Sequence, residues 1–220
     1  ALPQITGADT TIDGTAFGFT YGAVGIAVRN DNAGTLGDTV TRIGLGADGI
    51  AGTGDDLPLA GVARPELEIA DGVVAGAIAN GLDVQAQDVT IRDLAIWGFG
   101  TGVNTGDINV GDFTGTRIEG NVIGTTAASF TDPGAERSAV RGINVQSGDS
   151  GFVLNNLIGF HGNSGVRVAV GANNWQVQGN EIRQSGLVDP TGDGVDADQD
   201  ITGLSVDRNL IAGNSSPAVH

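Results

Sequence analysis

The chain has 220 residues, of which 38 are glycine and 5% aromatic, a composition that suits many tight turns and argues against a packed helical core. Its ten basic residues are all arginine and it has no cysteine, which excludes disulfides, a thiolate metal site and a cysteine nucleophile. The formal net charge of −16 speaks against nucleic acid as a partner, because that affinity rests on neutralised phosphates; it fits an extracellular or cell-surface setting and divalent cations, or simply a soluble flat-sided molecule.

In chain order, Leu2-Pro3-Gln4-Ile5-Thr6 and Thr11-Ile12-Asp13-Gly14-Thr15 read as short strands ending in turns, the start of a first coil over residues 1–17. Residues 18–64 then read as an insertion within that coil. It opens on Phe17, Phe19 and Tyr21 and holds expected strands at 24–28 and 40–43. A long structureless loop is uncommon in a compact domain, so a small β subelement packed on the main body is expected. Asp48, Asp55 and Asp56 lie among glycines there. They form either a loop of hard oxygen ligands for Ca²⁺ or a hydrated Asp-Gly turn cluster; the spacing is not that of an EF-hand.

From Glu66-Leu67-Glu68-Ile69 onward two phrases alternate. The first is apolar-x-x-Asn-x-Ile: Ile118 to Asn121 to Ile123, Val153 to Asn156 to Ile158, Val177 to Asn180 to Ile182, and Val206 to Asn209 to Ile211. An earlier copy, from Ile91 to Ile96, has Leu94 in place of the asparagine. The second phrase is Gly-apolar-x, at Gly81-Leu82-Asp83, Gly102-Val103-Asn104, Gly142-Ile143-Asn144, Gly165-Val166-Arg167 and Gly194-Val195-Asp196. Short Val/Ile runs of period two, broken by Gly, Asn and Asp, are strands rather than helices. A repeat of roughly 21 to 24 residues holds three short strands and three turns, and stacking such coils makes parallel sheets. The asparagines are expected at a sharp bend, in the left-handed region, with Asn121, Asn156, Asn180 and Asn209 stacked as a ladder of amides. No apolar run is long enough to span a membrane.

These phrases resemble the right-handed parallel β-helix of the pectate-lyase-like superfamily, in particular segments of large secreted bacterial repeat proteins. The resemblance covers residues 1–17 and 65–220. It implies an all-β fold, a right-handed solenoid of three-stranded coils with an Asn ladder, forming one domain over 1–220 with the β-rich insertion at 18–64. The superfamily includes lyases, hydrolases, adhesins and phage tailspikes, so the resemblance specifies fold more than function.

Several candidate sites follow. The outward positions of the Gly-apolar strands, Asp83, Asn104, Asn144, Arg167 and Asp196, form a column for ligand binding, or merely the polar face any solenoid needs. Insertions at 124–141 and 183–193 fall on one side of the coil, the side that in the resembled family flanks a carbohydrate cleft. Asp193, Asp196, Asp198 and Asp200 lie in an acidic stretch that is either a second Ca²⁺ site or a hydrated turn. Trp97 and Trp175 offer rings for sugar stacking, though Trp175 opens a strand and equally suits the core.

Enzyme signals are sparse. Against the resembled polygalacturonases, Asn104-Thr105-Gly106 lacks the acid, Asp55-Asp56 lies outside the coils and Phe160-His161-Gly162 is partial. A catalytic reading would use Arg167, Asp196 and His161, with Arg141 and Arg183 near Arg167. The expected function is therefore a non-catalytic extracellular module for adhesion, surface or matrix assembly, or polysaccharide binding. Ca²⁺ would stabilise it, and end-to-end self-association would use its exposed sheet edges. The alternative is a Ca²⁺-assisted polysaccharide lyase or glycoside hydrolase acting on the Gly-apolar face.

Overall fold

The computed structural model describes residues 2–15, 19–21, 26–28, 32–38, 46–50, 52–56, 58–59, 61–72 and 77–220. The architecture is all-β, with three parallel sheets of six strands each. The first sheet takes Gln4–Ile5, Asn80–Val84, Gly106–Asp112, Arg141–Ser147, Val166–Val168 and Val195–Ala197, in that order. The second takes Thr11–Asp13, Thr90–Arg92, Arg117–Glu119, Phe152–Leu154, Gln176–Gln178 and Ser205–Asp207. The third takes Leu67–Ala70, Leu94–Trp97, Val122–Ile123, Leu157–Gly159, Glu181–Arg183 and Leu210–Ala212. From residue 80 on, the chain visits the three sheets in rotation, so each circuit adds one strand to each sheet. This arrangement is consistent with a parallel β-helix.

The register explains the period-two pattern. Val84, Val110, Val145 and Val168 are aligned across the first sheet. Ile91, Ile118, Val153 and Val177 align across the second, and Ile96, Ile123, Ile158 and Ile182 across the third. All twelve are fully buried and belong to one core cluster, with Phe99 and Trp175 among them. Burying each such side chain contributes about 1.5–3 kcal/mol.

The bend between second and third sheets is built differently from expectation. The asparagines themselves are not in the left-handed region. The residue before each one is: Gly120, Asn155, Gly179 and Arg208 have φ of 66°, 55°, 68° and 52°, and Asp93 before Leu94 has 57°. The left-handed residue makes the turn, which leaves the next side chain aimed inward. There Asn121, Asn156, Asn180 and Asn209 are hydrogen bonded in series, Nδ2 to Oδ1, at 3.0, 3.0 and 2.9 Å. Each receiving Oδ1 also accepts the main-chain N–H of the preceding asparagine at 2.9 Å. Each Nδ2 also donates to a main-chain carbonyl one circuit back, as Asn156 does to Ile118 at 3.0 Å. The series ends at Leu94, whose N–H reaches Asn121 Oδ1 at 3.3 Å.

The insertion lies on the outer face of the third sheet. Its strand Thr35–Leu36 pairs antiparallel with Val62–Ala63, and Val62 packs with Ala95, Val122 and Leu157, joined by Leu36, Ala127 and Phe130. These outward residues are apolar because they are covered, so both faces of Leu94–Trp97 are buried. Asp38 is tied to the same sheet: its N–H donates to Glu181 Oε2 at 2.6 Å and its Oδ2 lies 3.2 Å from Arg183 Nη2. Of the strand expected at 24–28, Ile26–Val28 is described, paired antiparallel with Phe19–Tyr21. The strand expected at 40–43 and Phe17 lie outside the described residues.

Candidate functional site

The outer face of the first sheet carries the polar column, with two corrections. Its member in Gly106–Asp112 is Asn109, paired with Asp83 on one side and Asn144 on the other. Asn104 lies in an exposed turn. The pattern misplaces this strand because Asp107 stands where the other copies have glycine. The column is also not simply solvent-facing, since Asn109 is 2% exposed and Asn144 wholly buried. The column bonds to itself instead. Asn144 Nδ2 donates to Asn109 Oδ1 at 2.8 Å, Asn109 Nδ2 to Asp83 Oδ1 at 2.8 Å, and Gln4 Nε2 to Asp83 Oδ2 at 2.7 Å. Gln146 Nε2 donates to Asn109 Oδ1 at 2.8 Å.

Arg167 closes this strip. Its Nη2 donates to Asp198 Oδ2 at 2.7 Å, its Nε stands 3.9 Å from Asp196 Oδ2, and its Nη1 reaches Asn104 and Asn144 Oδ1 at 3.4 and 3.5 Å. Burial pushes the Asp196 carboxyl up, while Arg141 and Arg167 pull it down. Thus Arg167, Asp196 and Asp198 come together on one face. Arg183 does not join them, being engaged with Asp38 and Glu181 on the third sheet.

His161 lies elsewhere, wholly buried. Its Nε2 is 3.1 Å from Asp107 Oδ2, and Ser138 Oγ donates to Asp107 at 2.7 and 2.8 Å. Phe99 N–H adds a third donor at 3.2 Å. Burial pushes the Asp107 carboxyl up, against the pull of His161, Ser138 and the Phe99 amide. This interior cluster was missed from sequence; the readable signal was an acid replacing glycine at 107. It satisfies a buried carboxylate with donors from three circuits. The serine bonds the aspartate rather than the histidine, so the three do not form a nucleophile–base relay.

Above the cluster lies an open cleft of about 490 Å³ at the corner between third and first sheets. Loops from successive circuits wall it: Gly100 to Val103, Ala139 to Arg141, Gly162 and Asn163, and Val188 with Asp189. Val103 and Val188 are 78% and 68% exposed. Arg141 projects from the end of its first-sheet strand, donating through Nη1 to Val103 O, while its Nε is buried without a hydrogen-bond partner. Burial pushes its guanidinium pKa down, as does Arg167; Asp196, Asp198 and Asp189 act oppositely.

The acidic loop at 46–56 folds on its own carboxylates. Asp48 Oδ1 accepts Ile50 N–H at 2.8 Å, Asp55 Oδ1 accepts Thr53 Oγ1 at 2.7 Å, and Asp56 accepts the N–H groups of Gly46, Gly52 and Thr53. Among the described residues, the group that brings three metal-capable side chains together is Asp193, Asp196 and His220. Asp198 is occupied by Arg167, and Asp200 stands in an exposed turn with φ 63°. Neither tryptophan is placed for sugar stacking: Trp175 is core, donating to Gly148 O at 2.8 Å, and Trp97 is 9% exposed with its Nε1 on Glu68. No helix among the described residues is long and apolar enough to cross a membrane. No protein-family model, curated protein or solved structure matches this chain.

Proposed function

We propose that the chain is a right-handed parallel β-helix of the pectate-lyase-like kind, with its serial asparagines as the ladder, and that it is a non-catalytic polysaccharide-binding module of a secreted or surface bacterial protein. The observation that carries this reading is the cleft. Loops from several circuits wall it, exposed valines line it, and one guanidinium stands inside it. Sugars present apolar C–H faces together with acceptor-rich edges, and a concave site with a few convergent polar groups suits them. Arg141 favours a sugar acid, because its guanidinium is a fixed positive charge that forms charge-assisted hydrogen bonds to carboxylates.

Affinity electrophoresis of the 220-residue chain through gels containing acidic or neutral polysaccharides tests the proposal. Retardation by an acidic polysaccharide, lost in Val188→Asp, is the expected result. Val188 is exposed, so this variant leaves the fold intact. Equal mobility in every gel contradicts the reading.

Two further proposals have narrower support. Ca²⁺ as a stabiliser rests on the net charge of −16, since the 46–56 carboxylates already serve their own loop. End-to-end association rests on the edge strands of the three sheets, and a sedimentation coefficient independent of concentration would remove it. The lyase or hydrolase alternative draws on the meeting of Arg167 with Asp196 and Asp198. It requires release of unsaturated products or reducing ends from the polysaccharide that binds.

A further inference from the structure

The acidic stretch at 193–198 gains a partner that spacing does not show. Val219 bridges Val195 in parallel. Ala197 N–H donates to His220 O at 3.0 Å, and His220 N–H to Val195 O at 3.1 Å. Residues 218–220 thus lie beside Val195–Ala197 as a further strand of the first sheet. That register places His220 beside Asp196, the next position of the outer polar column.

We propose that Asp193, Asp196 and His220 form a binding site for a first-row divalent transition ion, with Zn²⁺ as its natural probe. One ligand atom of each lies within 4.8 Å of the other two, and His220 Nδ1 is 3.6 Å from Asp193 Oδ2. A second observation is independent of this clustering. Asp193 is 3% exposed, yet its Oδ1 has no hydrogen-bond partner. A buried carboxylate oxygen with an empty lone pair is costly unless a cation or donor meets it. The same buried carboxylate turns its Oδ2 toward His220 Nδ1, so a cation among the three side chains would neutralise a carboxylate that the protein leaves short of donors.

The donor set selects the ion. Ca²⁺ takes six to eight oxygens, whereas imidazole nitrogen with two carboxylates suits Zn²⁺, Mn²⁺ and their neighbours. Three protein ligands leave a coordination position for water. The site opens on a hollow lined by Val170, Asp196 to Asp200 and His220, so ion and water have access. A bound ion would pin residues 218–220 to the preceding circuit. The ion pair of Asp193 with a protonated His220 is the competing explanation, and it needs no metal.

Titration calorimetry of the chelator-treated 220-residue chain with ZnCl₂ at pH 7 decides between them. The proposal expects one Zn²⁺ per chain and an affinity reduced more than about tenfold in His220→Ala. Asp193→Asn should weaken binding similarly, and Asp48→Asn should not change it. His220 is 77% exposed at its side chain, so its substitution leaves the fold intact. No Zn²⁺ uptake, undiminished uptake in His220→Ala, or tighter binding of Ca²⁺ than Zn²⁺ would each overturn the proposal.

Discussion

Asn156 shows what a single residue contributes here. Its Oδ1 accepts both the main-chain N–H and the amide of Asn121, while its Nδ2 serves Ile118 O and Asn180 Oδ1. Asn156→Ala leaves the Asn121 N–H and one proton of the Asn121 amide unpaired, at about 1–3 kcal/mol each. A loss of roughly 2–5 kcal/mol is expected in urea unfolding. Asn209→Ala, at the half-buried end of the series, should cost distinctly less, because water can reach the orphaned groups. Asp55 supplies a prediction in pH. The Thr53 hydroxyl, followed by main-chain donors, holds its carboxyl below the usual value of 3.8. A lowered folded pKa gives stability that is present above 3.8 and is lost as pH falls through the folded value. The loop should therefore loosen only below pH 3.8, seen as faster exchange of the Asp48 amide, which donates to Asp55 Oδ2 at 3.2 Å. Thr53→Val should bring the Asp55 titration back toward 3.8 in a carboxylate NMR titration.

At the scale of elements, the Asn phrase marked both strands it joins, and all four copies lie where second-sheet strand meets third. The turn chemistry was misread by one residue. Asn tolerates a left-handed φ, but here the residue before it takes that conformation, as Gly120 and Gly179 most readily can. The Gly-apolar phrase located four of five strands and failed at Asp107. The cover on the third sheet was also readable, because Val122-Ile123 and Leu157-Ile158 put apolar residues on both faces of one strand, which signals burial on both. What period-two reasoning could not show is that the covering piece is the insertion, since that contact links residues far apart in sequence. Leu157 lies between sheet and insertion, so Leu157→Ala should cost about 2–5 kcal/mol. It should also speed proteolysis of the insertion while sparing the three sheets. Cleavage rates unchanged from the parent chain would show that the insertion is held some other way.

At the scale of the molecule, two outer faces have different fates. The third sheet is covered by the insertion, and Arg183 is spent on Asp38 and Glu181. The corner toward the first sheet stays open, and the chain gathers Arg141, Arg167 and the carboxylates of 196 and 198 there. The sequence pointed to this side through its insertions at 124–141 and 183–193. His161 was singled out, but its meeting with Asp107 and Ser138 beneath the cleft escaped the sequence, because the contacts join residues 31 and 54 positions apart. On an acidic molecule, this local pair of guanidinium groups is where the proposed anionic polysaccharide would dock, and screening by salt should weaken that docking.

The most direct measurement is calorimetric titration of the chain with galacturonic acid oligomers at low salt, alongside Arg141→Ala. The account predicts saturable binding to the parent chain, weakened by added salt, and a loss of more than about tenfold in the variant with its circular dichroism unchanged. Equal affinity in the two proteins, or no binding to the parent chain, would contradict it.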